Sequence, residues 1–256
     1  MTAAGLLPPS IEAGVRPDRS REAPARHIRW ARELALVGAL YVCYMVARGL
    51  IGVHLEEAEA RGADILGLEA AFALDMERPL NTFLTAVPLL GLLAAYLYAT
   101  LHYVVTPAVL VWVALRRRRA YTAERNAILI ATAIGLVGYW LLPTAPPRLV
   151  DAGLTDTMAA FSDLGWWGDA ASAPRGTESL SNQYAAMPSL HVGWAAWVAA
   201  CLAAHAGSRL VRRLAWTYPT LMALVVMATA NHYLLDVVAG AGCAIAGVWL
   251  AHRSRA

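Results

Sequence analysis

Long apolar runs alternate with short polar breaks along this chain, and the breaks carry most of its charge. A first run, about Glu33 to Val53, follows Arg26, Arg29 and Arg32. It is too long and too far in for a cleaved signal peptide, so it reads as a retained span. From His54 to Asn81 the chain is acidic (Glu56, Glu57, Glu59, Asp64, Glu69, Asp75, Glu77), with Ile65, Leu68, Phe72 and Met76 at helical spacing. That pattern predicts an amphipathic helix on the membrane surface or bundle rim. Phe83 to Leu115 is predicted as one long helix, because a bilayer core needs only ~20 residues. Further spans are predicted at about Ala127–Leu142, Leu190–His205, Leu214–Ala230 and His232–Ala251.

The breaks set the orientation. The N-terminal arginines, Arg116 to Arg119, the Arg209/Arg212/Arg213 group and Arg253/Arg255 fall on one side if there are six spans. By the positive-inside rule that side is cytoplasmic. The acidic segment, the long connection Pro143–Pro188 with Trp166-Trp167, and the short turn at Asn231 then lie outside. The prediction is an all-α, polytopic bundle of six transmembrane helices with an amphipathic interfacial helix and a long outer loop. Residues 1–25, rich in Pro, Arg, Ala and Glu, are expected to be a disordered cytoplasmic tail before a membrane domain over 26–256.

Composition supports the membrane reading: 59% of residues are hydrophobic and 15% charged, against nearer a half and a quarter in soluble domains, and mean hydropathy is +0.48. The net charge of +3 is too small to suggest a nucleic-acid partner. Cys43, Cys201 and Cys243 all lie in apolar stretches and read as small buried hydrophobes. The chain has no lysine, so lysine is unavailable for any phosphate-binding role.

Six spans bring three patches to the outer edge: Pro146-Pro147-Arg148, Met187-Pro188-Ser189-Leu190-His191 and Asn231-His232-Tyr233-Leu234-Leu235-Asp236. His232 and Asp236, four apart, share one helix face. A carboxylate there can take the proton of one imidazole nitrogen and leave the other free to attack. His191, at a helix start, suits protonation of a leaving oxygen. Arg148 offers a guanidinium fork for phosphate oxygens. Ser189 and the N–H groups opening the helix at Leu190 can cradle an anion. Asn231 flanks His232 as a headgroup contact, and Asn182 and Tyr184, just before the histidine motif, are either headgroup contacts or loop structure. His102, near the middle of the long helix, is either a pocket residue or an interhelical hydrogen-bond partner. Trp166-Trp167 suit a loop anchor.

The three patches resemble the signature of the type 2 phosphatidic acid phosphatase superfamily. The spacing Pro-Pro-Arg, Asn-x-Tyr-x-Ala-Met-Pro-Ser-Leu-His and Asn-His-Tyr-x-x-Asp is similar to its inositol phosphorylceramide synthase-like branch. The resemblance implies that His232 is a nucleophile forming a phosphohistidine. It further implies that Asp236 orients it, that His191 is the general acid and base, and that Arg148 holds the phosphoryl group. No metal and no cofactor are implied. Two cations of the wider superfamily are replaced: Leu141 stands where its first motif has lysine, and Val225-Val226 where its third has Ser-Arg. Arg175, Arg48 and Arg78 are the candidates to complete the anion site.

The expected activity is therefore cleavage of a lipid phosphate at the extracytoplasmic face of the cell membrane, releasing phosphate or passing it to a hydroxyl acceptor such as a polyol. A phosphoinositol-type lipid phosphotransferase is the nearest alternative. A lipid transporter or flippase would show internal repeats and midplane charges, which the pattern lacks. A metal hydrolase would need a third ligand beside His191, His232 and Asp236, and the chain has no His-Glu-x-x-His motif.

Overall fold

The computed structural model describes residues 30–36, 38–39, 42, 55–151, 153–168, 175–176 and 182–253. The predicted tail, most of the first run, Cys43 and Arg48 lie outside the described residues. Within them the fold is all-helical, without strands; Thr144 and Ala185 form one isolated bridge. Residues 30–36 are helical. The helices that follow are α1 Leu55–Ala71, α2 Glu77–Ala86, α3 Pro88–Arg116, α4 Arg118–Leu141, α5 Pro147–Val150, α6 Thr157–Ala160, α7 Leu190–His205, α8 Arg209–Leu214, α9 Thr217–Ala228 and α10 Leu234–Arg253.

The acidic segment differs from its prediction. It is two helices, separated at Phe72–Met76 where Ala73 adopts a left-handed φ of 55°. Its facing is also the reverse of a soluble amphipathic helix. Leu68, Phe72 and Met76 point outward, whereas Glu69 and Glu77 are 1% and 0% exposed. The predicted 83–115 helix starts later, because Pro88 opens α3 at its first turn, where a missing N–H costs nothing. The predicted span at 127 begins nine residues earlier, at Arg118. The predicted Leu214–Ala230 span is the shorter α9, and the connection before it is itself helical as α8.

By length and composition, α3 and α10 can each cross a membrane, and only 33% of the apolar window of each is buried within the protein. A core helix of a soluble protein would bury most of that window. Here Leu89 on α3 and Ile245 on α10 are 75% and 70% exposed. Apolar surface of that extent calls for hydrocarbon around it. α4 is long enough at 24 residues but is not apolar enough to pass the same test, and the remaining helices are too short. α7 is apolar with 16 residues, and α9 has 12.

The helices pack closely where the site requires it. α10 lies along α4 and α7. At the α7–α10 crossing, a Cβ on Gly240 would sit 2.0 Å from the Ser189 carbonyl, and one on Gly193 would sit 2.9 Å from the Gly240 carbonyl. Small residues thus let two backbones meet, as in membrane helix pairs. One core cluster joins Ala95, Tyr98, Trp167, Val192 and Met222. A second joins Val113, Tyr121, Trp197 and Cys201 nearer the arginine end. There Arg117 Nε donates to the His205 carbonyl (2.9 Å), and Arg212 Nε to that of Ala203 (2.6 Å).

Candidate active site

Main-chain bonds stitch the three sequence patches into one surface. Thr144 N donates to the Tyr184 carbonyl (2.8 Å) and Ala186 N to that of Thr144 (3.2 Å), tying the segment before Arg148 to the segment before His191. Arg148 N donates to the Ala230 carbonyl (3.0 Å), and Ser189 N to that of Asp236 (2.9 Å), bringing in the third patch. Tyr233 Oη closes the ring on the Ala145 carbonyl at 2.7 Å. Apart from the Tyr233 hydroxyl, each of these groups is a backbone donor or acceptor that burial obliges to find a partner.

The result is a cavity of about 240 Å³ lined by Tyr98, His102, Arg148, Asn182, His191, Asn231 and His232, among others. The rings of His191 and His232 stand 5.6 Å apart between centroids. His191 is held by two aromatic contacts: it stacks on Tyr98 at 4.4 Å and meets His102 edge-on at 4.3 Å. His102 Nδ1 lies 3.0 Å from the Tyr98 carbonyl one turn back, so that nitrogen carries the proton and Nε2 keeps its lone pair.

His232 differs from its predicted pairing. Its Nδ1 lies 2.8 Å from the Ala186 carbonyl and 3.4 Å from Asp236 Oδ2. The backbone oxygen is therefore the nearer partner. As an acceptor it fixes the proton on Nδ1 and leaves Nε2 the free lone pair. Asp236 lies one turn below, fully buried, and its Oδ2 also accepts from Tyr233 N (2.9 Å). That second bond is the return half of a capping box, the third helical residue reaching back to the cap.

Arg148 is built into the wall. Nη1 donates to Asn231 Oδ1 at 2.6 Å, and Nε pairs with Asp156 Oδ2 at 3.0 Å. Two of its three nitrogens are thus engaged, which locks the plane of the guanidinium at the cavity edge. Asn231 is locked in turn, since Nδ2 donates to Thr229 Oγ1 at 2.9 Å. Tyr98, Tyr103, Tyr139 and Gln183 also line the cavity, and Asp156 braces it. None of these was singled out from sequence, because no local motif marks residues that meet only through the tertiary fold.

Not every expected residue arrives. Asn182 lines the cavity, but Tyr184 does not; its N–H donates to Asn182 Oδ1 (3.0 Å) to close a turn. Ser189 Oγ is buried without a hydrogen-bond partner among the described residues, behind the lining. Arg175 Nε donates to the Trp167 carbonyl (3.3 Å) and Nη2 to that of Ser162, so it braces the outer loop away from the cavity. Arg78 pairs with Asp151 and also stays outside it. Trp167 is fully buried, its Nε1 donating to the Met158 carbonyl at 2.8 Å, while Trp166 is partly exposed.

Two histidines and a braced arginine thus surround one cavity beside apolar helices. The chain belongs to the PAP2 superfamily, whose family profile matches residues 63–250 of the 256. Membership brings phosphatase-type chemistry on lipid phosphates and makes the protein an enzyme. No curated protein and no solved structure matches the chain.

Proposed function

We propose that this protein cleaves a lipid phosphate monoester through a phosphohistidine on His232. The observation that carries the reading is a junction of two spaces. The polar cavity shares His102, Tyr103 and Trp194 with an apolar groove of about 390 Å³ running along α3 and α4 past Leu110, Val111, Ile128 and Leu129. A headgroup beside His232 can therefore have its hydrocarbon chain in that groove. The far end carries a polar plug, where Glu33 accepts two bonds from Arg125 Nη1 (2.6 and 2.7 Å) and one from Tyr121 Oη (3.1 Å).

In the first step Nε2 of His232 attacks phosphorus. An N–P bond forms, the P–O bond to the lipid breaks, and His191 gives its proton to the departing alkoxide. Asp236 offsets the positive charge on the ring of His232, and Arg148 neutralises the equatorial oxygens. In the second step His191 takes a proton from water, the water oxygen attacks phosphorus, and phosphate leaves as the N–P bond breaks. A hydroxyl compound in place of water gives transfer instead of release. The replacement of the family's other cations by Leu141 and Val225-Val226 leaves Arg148 as the principal phosphate ligand and favours the inositol phosphorylceramide synthase-like branch.

Metal independence fits the ligand geometry. Among the described residues, metal-ligand spacing is met by Glu124, Cys201 and His205, not by His191, His232 and Asp236. The orientation follows from charge. α7 runs from His191 to His205 beside Arg117, so the cavity and the arginine clusters occupy opposite ends. We read six spans within one membrane domain over 26–256, with the cavity outside the cytoplasm.

The test is purified protein with radiolabelled lipid phosphate, with and without a polyol and a chelator. Chelator-resistant release of phosphate, with label trapped on His232 in His191→Ala, is the expected result. Full turnover in His232→Ala would overturn it.

A further inference from the structure

The acidic helices α1 and α2 do something that neither an amphipathic rim nor a lid explains. Tyr233, Leu234 and Leu235 follow His232 directly, and their N–H groups each find a carboxyl oxygen. Tyr233 N donates to Asp236 Oδ2 (2.9 Å), Leu234 N to Glu77 Oε1 (2.6 Å) and Leu235 N to Glu69 Oε1 (2.7 Å). The first N–H groups of a helix have no partner within it, and here two are met by glutamates from helices more than 150 positions earlier. Consecutive N–H groups thus hold the two carboxyls side by side. Their remaining oxygens, Oε2 of each, are buried with no hydrogen-bond partner among the described residues. Two charged carboxylates in contact cannot both stay ionised out of water.

We propose that Glu69 and Glu77 share one proton and act as a singly charged clamp that positions the N-terminus of α10, and so His232, for attack. They are positioning residues, since neither lines the cavity. Their role rests on the phosphohistidine reading above. The groups facing the pair are Asp236 and Tyr233 from α10, with His232 beside Asp236 and Arg148 acting on Tyr233 from α5. Among the described residues neither glutamate is ion-paired with an arginine.

Burial drives Glu69 up to about 8, against the pull of the Leu235 N–H, and the charges of Glu77 and Asp236 add to the rise. Burial raises Glu77 as well. The folded state thus holds a proton on Glu69 that the unfolded chain releases near 4.5. Stability from that proton is full below about 4.5 and is lost as pH rises to about 8. Above that, two adjacent negative charges beside Asp236 push the clamp apart.

The variants are Glu69→Ala and Glu69→Gln in the full chain, with kcat measured from pH 6 to 10 on a lipid phosphate and melting temperature measured over the same range. A displaced nucleophile costs at least about tenfold in kcat, so Glu69→Ala should lose that much. Glu69→Gln, whose amide donates permanently to Glu77, should recover most of it. Wild type should lose kcat through about pH 8, and Glu69→Gln should not. Its melting temperature should also fall less with pH than that of wild type. Identical pH profiles and identical melting slopes in wild type and Glu69→Gln would overturn the shared proton. A melting difference in a protein without activity on any lipid phosphate would leave the clamp standing and reject the proposed reaction.

Discussion

His232 gives its Nδ1 proton to the main-chain carbonyl of Ala186 at 2.8 Å, closer than the 3.4 Å to the carboxylate of Asp236. Two duties that one aspartate usually performs in a histidine dyad are thereby divided. The carbonyl fixes the tautomer and the carboxylate supplies charge. In triads where the carboxylate alone selects the tautomer, replacing it by the amide costs about 10⁴ in kcat. Here the carbonyl remains in Asp236→Asn, and the amide oxygen can still accept from Tyr233 N. Asp236→Asn should therefore lower kcat by about 10²-fold, while His232→Ala should abolish it. Steady-state rates on one lipid phosphate compare the two. Equal loss in both variants would show that the Ala186 carbonyl does not hold the ring.

Arg148 makes a second case for geometry over charge. Its plane is set by Asn231 at 2.6 Å and Asp156 at 3.0 Å. A lysine keeps the charge but cannot satisfy both partners and a phosphate oxygen at once. Each lost bond to a charged group is worth about 1.5–3 kcal/mol. Arg148→Lys should therefore reduce kcat/KM by about 10- to 100-fold, and Asn231→Ala should fall in the same direction by less. An Arg148→Lys enzyme at wild-type rate would place the phosphate elsewhere.

The histidine and arginine patches were legible because their chemistry is local. His191 at a helix start, His232 four before Asp236, and Arg148 after two prolines can all be read without a fold. The start and end of α7 at Leu190 and His205 were legible for the same reason, as an apolar run between Pro188 and the break at Gly207. What sequence misjudged was facing. The spacing of Ile65 and Leu68 indicates helix, while Phe72 and Met76 fall in the break between α1 and α2; in a membrane protein, moreover, the apolar stripe can face lipid and the buried stripe can be polar. The amphipathic pattern thus puts Glu69 and Glu77 on the polar face of a surface or rim helix, and they are among the least exposed residues. The Ala186 carbonyl and the stack of Tyr98 on His191 had no signature at all, since backbone acceptors and long-range ring contacts leave no pattern in the chain.

Close approach of α7 and α10 sets the distance between the two histidines, and Gly240 permits it. A methyl group there would meet the Ser189 carbonyl at 2.0 Å, a contact no real Cβ makes. Relief requires the helices to part, and overpacking of this kind costs about 1–3 kcal/mol. Gly240→Ala should lower the melting temperature by about 5 °C in detergent and reduce kcat more than KM, because the gap between His191 and His232 widens. Gly242→Ala on the same helix, where a Cβ meets nothing within 4 Å, is the matched control. Equal behaviour of the two variants would remove the crossing from the account of the site.

The apolar groove makes a claim about chain length. Val111 lines it on α3, on the way from the shared residues His102 and Tyr103 to the plug of Glu33 and Arg125. A tryptophan at Val111 takes up the room of about two methylenes, and each buried methylene is worth about 0.8 kcal/mol. Val111→Trp should lower the ratio of kcat/KM for a long-chain over a short-chain lipid phosphate by about tenfold, because the short chain never reaches that depth. Competition between the two substrates in one mixed-micelle assay reads this ratio directly and cancels differences in enzyme folding. A ratio unchanged by Val111→Trp would mean that the hydrocarbon chain leaves the cavity by another route.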